Sequence, residues 1–445
     1  MATQMQMARE GRVSPEVEAV ARDEGLDPEA LAGDVAAGRV AIPANFRRGR
    51  EAGRSRGIGH GLRTKTNANI GTSRDSCDLA TERAKLRAAE SGGADSVMDL
   101  STAGALRATR KALLAETDLL FGTVPIYEAA VEVAERGGTI LDMTPDSMFA
   151  AVRRHAEDGV DFATVHAGVT RRAISSLGDL DAEPDAPASG NAPAWGDGGG
   201  RVCNIVSRGG AFMARWMLKH DAENPFNERF DEMLDLALEF DLTLSIGDGL
   251  RPGALADAGD EAQMAELVEI AALVRRAREA GVQTIVEGPG HVPLHEVRAQ
   301  METAKRLTGD APFYVLGPIV TDVAAGRDHI AAAIGGALAA WAGADFLCVV
   351  TPAEHLALPG PEDVREGVIA ARIAAHAADI ALDLPGAREW DDRVSRLRRA
   401  QDWDAMTPVL MDPGRAKRVR GSVPPADPGT CSMCGPYCVF RPPVS

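Results

Sequence analysis

From about residue 95 the chain alternates between two hydrophobic periods. Short runs rich in β-branched residues recur at 96–100, 123–126, 163–166, 204–207, 243–247, 284–287, 313–316 and 346–351. Between most of them lie segments of helical period, such as 261–280 and 294–307. Strands that alternate with helices pair in parallel through right-handed crossovers. Eight such units fit a closed (β/α)8 TIM-type barrel. An open doubly wound sheet is the competing architecture, but no glycine-rich turn follows a first strand to support it. The pattern predicts an α/β fold with a catalytic barrel over 76–385.

The flanks follow other rules. Ser14-Pro15 and Asp27-Pro28 each offer an N-cap followed by proline at the first helical position, predicting two short helices in the first forty residues. The arginine- and glycine-rich stretch 47–63 has no apolar period and reads as an irregular, functional lead-in, so 1–75 forms an N-terminal region. Residues 179–200 are dense in Gly, Pro, Ala and Asp and bury too little apolar surface to offset their ordering entropy. A lid over the barrel mouth and a passive insertion both suit them. Past 385 the strand pattern stops; 389–406 reads as a charged helix, and a loop-rich arm completes a C-terminal module over 386–445.

Composition narrows the partners. The formal net charge of −17 argues against a general binder of nucleic acid or anionic membrane, while leaving room for a local phosphate pocket. No apolar run approaches the roughly 20 residues of a membrane helix, and the first residues lack a signal peptide's apolar core. A cytoplasmic protein with reduced thiols is expected.

In a barrel, reactive side chains stand just past the strand ends. Those positions are polar here: Met98-Asp99, Tyr127, His166, Ser207-Arg208-Gly209-Gly210, Asp248-Gly249-Leu250-Arg251, Glu287 to His291, Tyr314 and Glu354-His355. Each alone has a structural explanation, an ion pair or a packed histidine; together they put a polar group on one rim from every predicted strand. The Ser-Arg-Gly-Gly and Asp-Gly-Leu-Arg stretches suggest an anion site, since glycine admits close backbone approach and arginine matches phosphate. His291 and His355, past the sixth and eighth strands, are either ordinary polar histidines or ligands for zinc or ferrous iron.

The sharpest feature is CSMCGPYC, where Cys431, Cys434 and Cys438 have C-x2-C-x3-C spacing. Three thiolates on a four-iron cluster leave one iron open to chelate S-adenosylmethionine, whose cleavage yields a 5′-deoxyadenosyl radical. Structural zinc competes but normally takes four ligands. Cys203 and Cys348 border or occupy predicted strands and read as buried small hydrophobes.

The chain resembles the phosphomethylpyrimidine synthase family, which makes the pyrimidine half of thiamine. The resemblance is carried by GLRTKTNANIGTS (61–73), VPIYEA (124–129), TVHAGV (164–169), IVSRGG (205–210), SIGDGLRPG (245–253), DEAQMAEL (260–267), VEGPGHVP (286–293), FYVLGP (313–318), VTPAEHL (350–356), AAHAAD (374–379) and CSMCGP (431–436). The short N-terminal region is like the family's compact form.

The resemblance implies a radical-SAM rearrangement of 5-aminoimidazole ribotide to 4-amino-5-hydroxymethyl-2-methylpyrimidine phosphate, with release of carbon monoxide and formate. It implies ribotide contacts from Asn69, Met98, Tyr127, His166, Ser207, Arg208, Gly209, Asp248, Gly249, Leu250, Arg251, Glu287 and Tyr314. It also implies a divalent metal (zinc or ferrous iron) on His291 and His355, a [4Fe-4S] cluster on Cys431, Cys434 and Cys438, an electron donor, and a homodimer that exchanges its C-terminal arms. Glu287, Asp248 and His166 are the expected proton-transfer groups. The second cysteine gap is one residue shorter than the family's C-x2-C-x4-C. A 5-hydroxybenzimidazole-forming enzyme on the same ribotide, and a catalytically silent zinc-binding sensor, are the alternatives.

Overall fold

The computed structural model describes residues 1–48, 54–177, 201–427 and 429–440. The predicted N-caps form at the N-terminus. Ser14 accepts the Val17 N–H ahead of the helix Pro15–Glu24, and Asp27 accepts the Glu29 and Ala30 N–H groups ahead of Pro28–Ala36. A third short helix, Gln4–Arg9, precedes them and is absent from the predicted elements. Within the expected irregular stretch, β2 (Ile58–Gly59) pairs antiparallel with β1 (Val40–Ala41).

Eight parallel strands then close a barrel in sequence order: β3 (Lys65–Ile70), β4 (Ser96–Asp99), β5 (Leu120–Thr123), β6 (Phe162–Val165), β7 (Thr243–Ile246), β8 (Thr284–Gly288), β9 (Phe313–Val315) and β10 (Phe346–Cys348), which returns to β3. The (β/α)8 expectation is met, with three corrections to the strands that build it. Residues 204–207 are not a strand: Asn204 sits at φ 51°, and the segment leads into Ser207, the N-cap of the helix Arg208–His220. Ile205 and Val206 carry the β-branched signal without strand partners among the described residues.

The missing strand is β3, whose sequence KTNANI shows no apolar run. Its polar side chains are buried and paired instead. Lys65 Nζ lies 2.9 Å from Glu24, Asn67 donates to the Tyr314 hydroxyl at 2.7 Å, and the Ser96 hydroxyl donates to Asn67 at 2.7 Å. Residues 123–126 shift as well: the strand ends at Thr123 and Pro125 opens the helix Pro125–Glu135. Apolar faces close the interior between strands; the Phe162 and Phe346 rings meet edge to face at 6.3 Å.

The chain divides into two compact units, Met1–Ala378 and Asp379–Ser445. In the second, the expected charged helix is broken in two, Ala387–Ala400 and Trp403–Met406, because Gln401 adopts a left-handed conformation at φ 57°. A further helix, Pro413–Ser422, leads to the cysteine loop; its Arg420 donates to Thr430 O at 3.0 Å and lies 4.0 Å over the Trp403 ring. Residues 179–200 lie outside the described residues. No described helix is long and apolar enough to cross a membrane.

Candidate active site

The strand ends surround a cavity with about 520 Å³ of open space. Asn69 on β3, Met98 on β4, Tyr127 in the first turn after β5, His166 and Ser207 past β6, Asp248 and Arg251 past β7, Glu287 on β8 and Tyr314 on β9 all line it. Strand register explains part of this convergence, since Asn69 is paired with Met98 and Glu287 with Tyr314.

Arg208, Gly209, Gly249 and Leu250 shape the wall behind. The Arg208 guanidinium lies 4.9 Å over the Tyr127 ring. A Cβ on Gly209 would stand 2.2 Å from the His166 ring, and one on Gly210 would stand 2.2 Å from the Gly249 carbonyl. Only glycine lets the helix start and the Asp248–Arg251 loop press together here. Leu250 is fully buried beneath that loop.

Burial sets the charges. His166 is pushed down to about 3 by desolvation and by Arg251, so its ring is neutral. Its Nε2 lies 3.2 Å from the Ser207 hydroxyl, while Nδ1 has no hydrogen-bond partner among the described residues. Asp248 is raised to about 8 by burial, against the pull of Arg251 at 3.1 Å. Burial also raises Glu287, which accepts the Thr164 and Ser245 hydroxyls, each at 2.7 Å. The cavity thus holds Arg251 beside a neutral histidine and two carboxyls that burial shifts upward, Asp248 to about 8.

Two further groups suit the cofactors expected from the sequence. His291 and His355 come together with ring centroids 5.1 Å apart. Asp322 holds the Nδ1 of His291 at 2.7 Å, and Asp328 holds that of His355 at 3.3 Å. This leaves both Nε2 atoms to a ligand, as in metal sites where carboxylates orient imidazoles. No cluster of three or more potential ligands occurs among the described residues, so a metal here would take its other ligands from water or substrate.

In the second unit Cys431, Cys434 and Cys438 are free thiols on one loop. Backbone N–H groups of Met433 and Cys434 hold the Cys431 thiol below its ordinary value, and the Gln401 amide donates to Cys438 Sγ at 3.2 Å. N–H groups aimed at sulfur favour thiolates, so the donor set fits an iron–sulfur cluster.

Sequence reasoning missed several contributors. Thr164 and Ser245, the first residues of two of the matched motifs, fix Glu287 from two neighbouring strands, and Asp322 and Asp328 fix the histidines; none of the four is among the predicted site residues. Cys348 is buried as expected but also lines the cavity, accepting from the Asn69 amide at 3.1 Å. Cys203 is exposed, contrary to expectation, because its segment is not a strand.

A closed parallel barrel that gathers acids, an arginine and a neutral histidine at its strand ends is an α/β-barrel enzyme. Its profile match is to the radical SAM ThiC family, over residues 3–182 and 193–442, and the chain belongs to that family. Similar proteins include the phosphomethylpyrimidine synthase of Desulforudis audaxviator, 53% identical over 438 residues, covering 98% of this chain and 96% of that one. Those of Moorella thermoacetica (51%, covering 99% and 97%) and Methanopyrus kandleri (52%, covering 96% and 94%) are comparable. The chain is thus a radical-SAM enzyme of a thiamine-biosynthetic family.

Proposed function

We propose that this enzyme converts 5-aminoimidazole ribotide to 4-amino-5-hydroxymethyl-2-methylpyrimidine phosphate, carbon monoxide and formate, with S-adenosylmethionine consumed to 5′-deoxyadenosine and methionine. The observation that carries the reading is the convergence of Asn69, Met98, Tyr127, His166, Ser207, Asp248, Arg251, Glu287 and Tyr314 on one cavity. When bound, a [4Fe-4S] cluster on Cys431, Cys434 and Cys438 with S-adenosylmethionine supplies the radical chemistry.

The chain's own residues bind and move protons. The Ser207–Gly209 turn offers a helix N-terminus, and Arg251 a fixed cation, to the phosphate. Asn69, Tyr314 and Met98 meet the rest of the ribotide. His166, neutral, accepts a proton; Asp248, raised to about 8, donates or accepts one near neutral pH; Glu287 is steadied for the same work by Thr164 and Ser245. His291 and His355 would hold one divalent metal, zinc or ferrous iron. A cytoplasmic homodimer with exchanged arms and a separate electron donor completes the reading.

Replacing Cys431, Cys434 or Cys438 singly by serine is expected to abolish 5′-deoxyadenosine formation while leaving ribotide binding in place. Turnover by the triple-serine variant would refute the reading.

A further inference from the structure

The reaction above uses no residue of the DEAQMAEL stretch, yet that stretch forms the wall of a second cavity. About 830 Å³ of open space lies between the helices Glu261–Ala280 and Leu294–Thr308, and its lining shares Asp248, Arg251, Glu287 and Gly288 with the first cavity. Glu266 stands in this wall, 2% exposed. Its Oε2 accepts the Leu250 N–H at 2.7 Å, fastening the middle of the Asp248–Arg251 loop to the helix. Its Oε1 has no hydrogen-bond partner among the described residues, and neither has Oδ2 of Asp248. Residue 249 is glycine where the carboxyl approaches: a Cβ there would lie 3.2 Å from Glu266 Oε1 and 2.2 Å from Val169.

We propose that Glu266 is the positioning residue of the Asp248–Arg251 loop and the group through which a proton passes between the two cavities. A buried carboxylate oxygen without a donor is costly. One proton on Glu266 makes an orphan acceptor a donor and removes a buried charge. Burial first, and the Asp248 carboxylate second, favour that protonated state; the Leu250 and Gly249 amides oppose it. The other charged groups facing Glu266 do not reverse this balance. Arg251 is engaged by Asp248, and Arg201 by Asp260 at 2.6 Å; Glu287 and Glu296 on the cavity walls are acids themselves. In the step, the Glu266 O–H bond breaks as Asp248, once it has given up its own proton, takes the Glu266 proton; the Glu266 carboxylate then recovers one from a solvent hydronium or buffer acid reaching the outer cavity, which is left as water or the conjugate base. No electrons are transferred.

The positioning role rests on reading the first cavity as the ribotide site; the protonation state does not. Infrared difference spectra of the full-length protein at neutral pH, wild type minus E266Q, are expected to show a protonated-carboxyl C=O band that persists in wild type minus E266Q on a D248N background. In ribotide titrations E266A is expected to bind at least about tenfold more weakly, with E266Q recovering most of the loss, and E266D behaving like E266A because it is one methylene short of Leu250. Absence of the infrared band, or an E266A protein that binds ribotide as wild type does, would overturn the proposal. Wild type that binds no ribotide counts against the proposed substrate instead, and the infrared band still decides the state of Glu266.

Discussion

Lys65 and Glu24 are a buried ion pair, 2.9 Å apart with each side chain at most 3% exposed, that ties β3 to the N-terminal helices. Burial alone would raise Glu24, but Lys65 and Arg63 outweigh it and hold the carboxyl below its ordinary value. Replacing Lys65 by methionine leaves that charge with Arg63 alone and is expected to cost about 3 kcal/mol of stability. Chemical denaturation measures this, and K65M/E24Q should regain part of it. The sign of the pH dependence follows from the depressed folded value: Glu24 stabilises the fold above the ordinary glutamate range, and the contribution is lost as pH falls from that range through the lower folded value.

His166 behaves differently. Its folded value lies near 3, so it stays neutral while the unfolded chain takes up a proton at about 6.5. Its contribution to stability is therefore lost as pH falls below about 6.5. The NMR shifts of its ring are expected to show no titration between about pH 5 and 8; a midpoint inside that window would remove His166 as a neutral acceptor.

At the scale of elements, the helix start at Ser207 and the loop at Asp248 form one surface only because of their glycines. G210A is expected to push the loop from its position and lower turnover on the ribotide by about 100-fold, with little change in melting temperature. Equal turnover would mean the loop yields without consequence. The two histidine segments are positioned by carboxylates in the same manner: D322N should weaken divalent-metal binding by about 10- to 100-fold, measured by metal titration, and H291A should abolish it.

Most of these elements were legible along the chain, because apolar strands and capped helices leave local signals. The helix Glu261–Ala280 lies where its period puts it. β3 was not legible, since Lys65, Asn67 and Asn69 are paid no attention by hydrophobic periodicity and find their partners, Glu24, Tyr314 and Cys348, only in the closed barrel. Residues 204–207 misled for the opposite reason: Ile205 and Val206 have strand-like character but lie on the way to an N-cap. The cavity's polar rim could be read from positions past the strand ends. Its supports, Thr164, Ser245, Asp322 and Asp328, could not, because their partners are remote in sequence.

Over the whole molecule, the barrel unit supplies the polar cavity proposed to take the ribotide, and the second unit supplies the three-thiol loop. The central claim is that these parts together make the thiamine pyrimidine. The shorter spacing between Cys434 and Cys438 makes radical generation the step to measure, since the barrel cavity would look the same in a silent relative. The most direct measurement is an oxygen-free assay of the reconstituted full-length protein with 5-aminoimidazole ribotide, S-adenosylmethionine and a strong reductant, in which nucleoside and ribotide products are identified by mass spectrometry. The account predicts 5′-deoxyadenosine together with 4-amino-5-hydroxymethyl-2-methylpyrimidine phosphate. No 5′-deoxyadenosine, or 5-hydroxybenzimidazole in place of the pyrimidine, would contradict it.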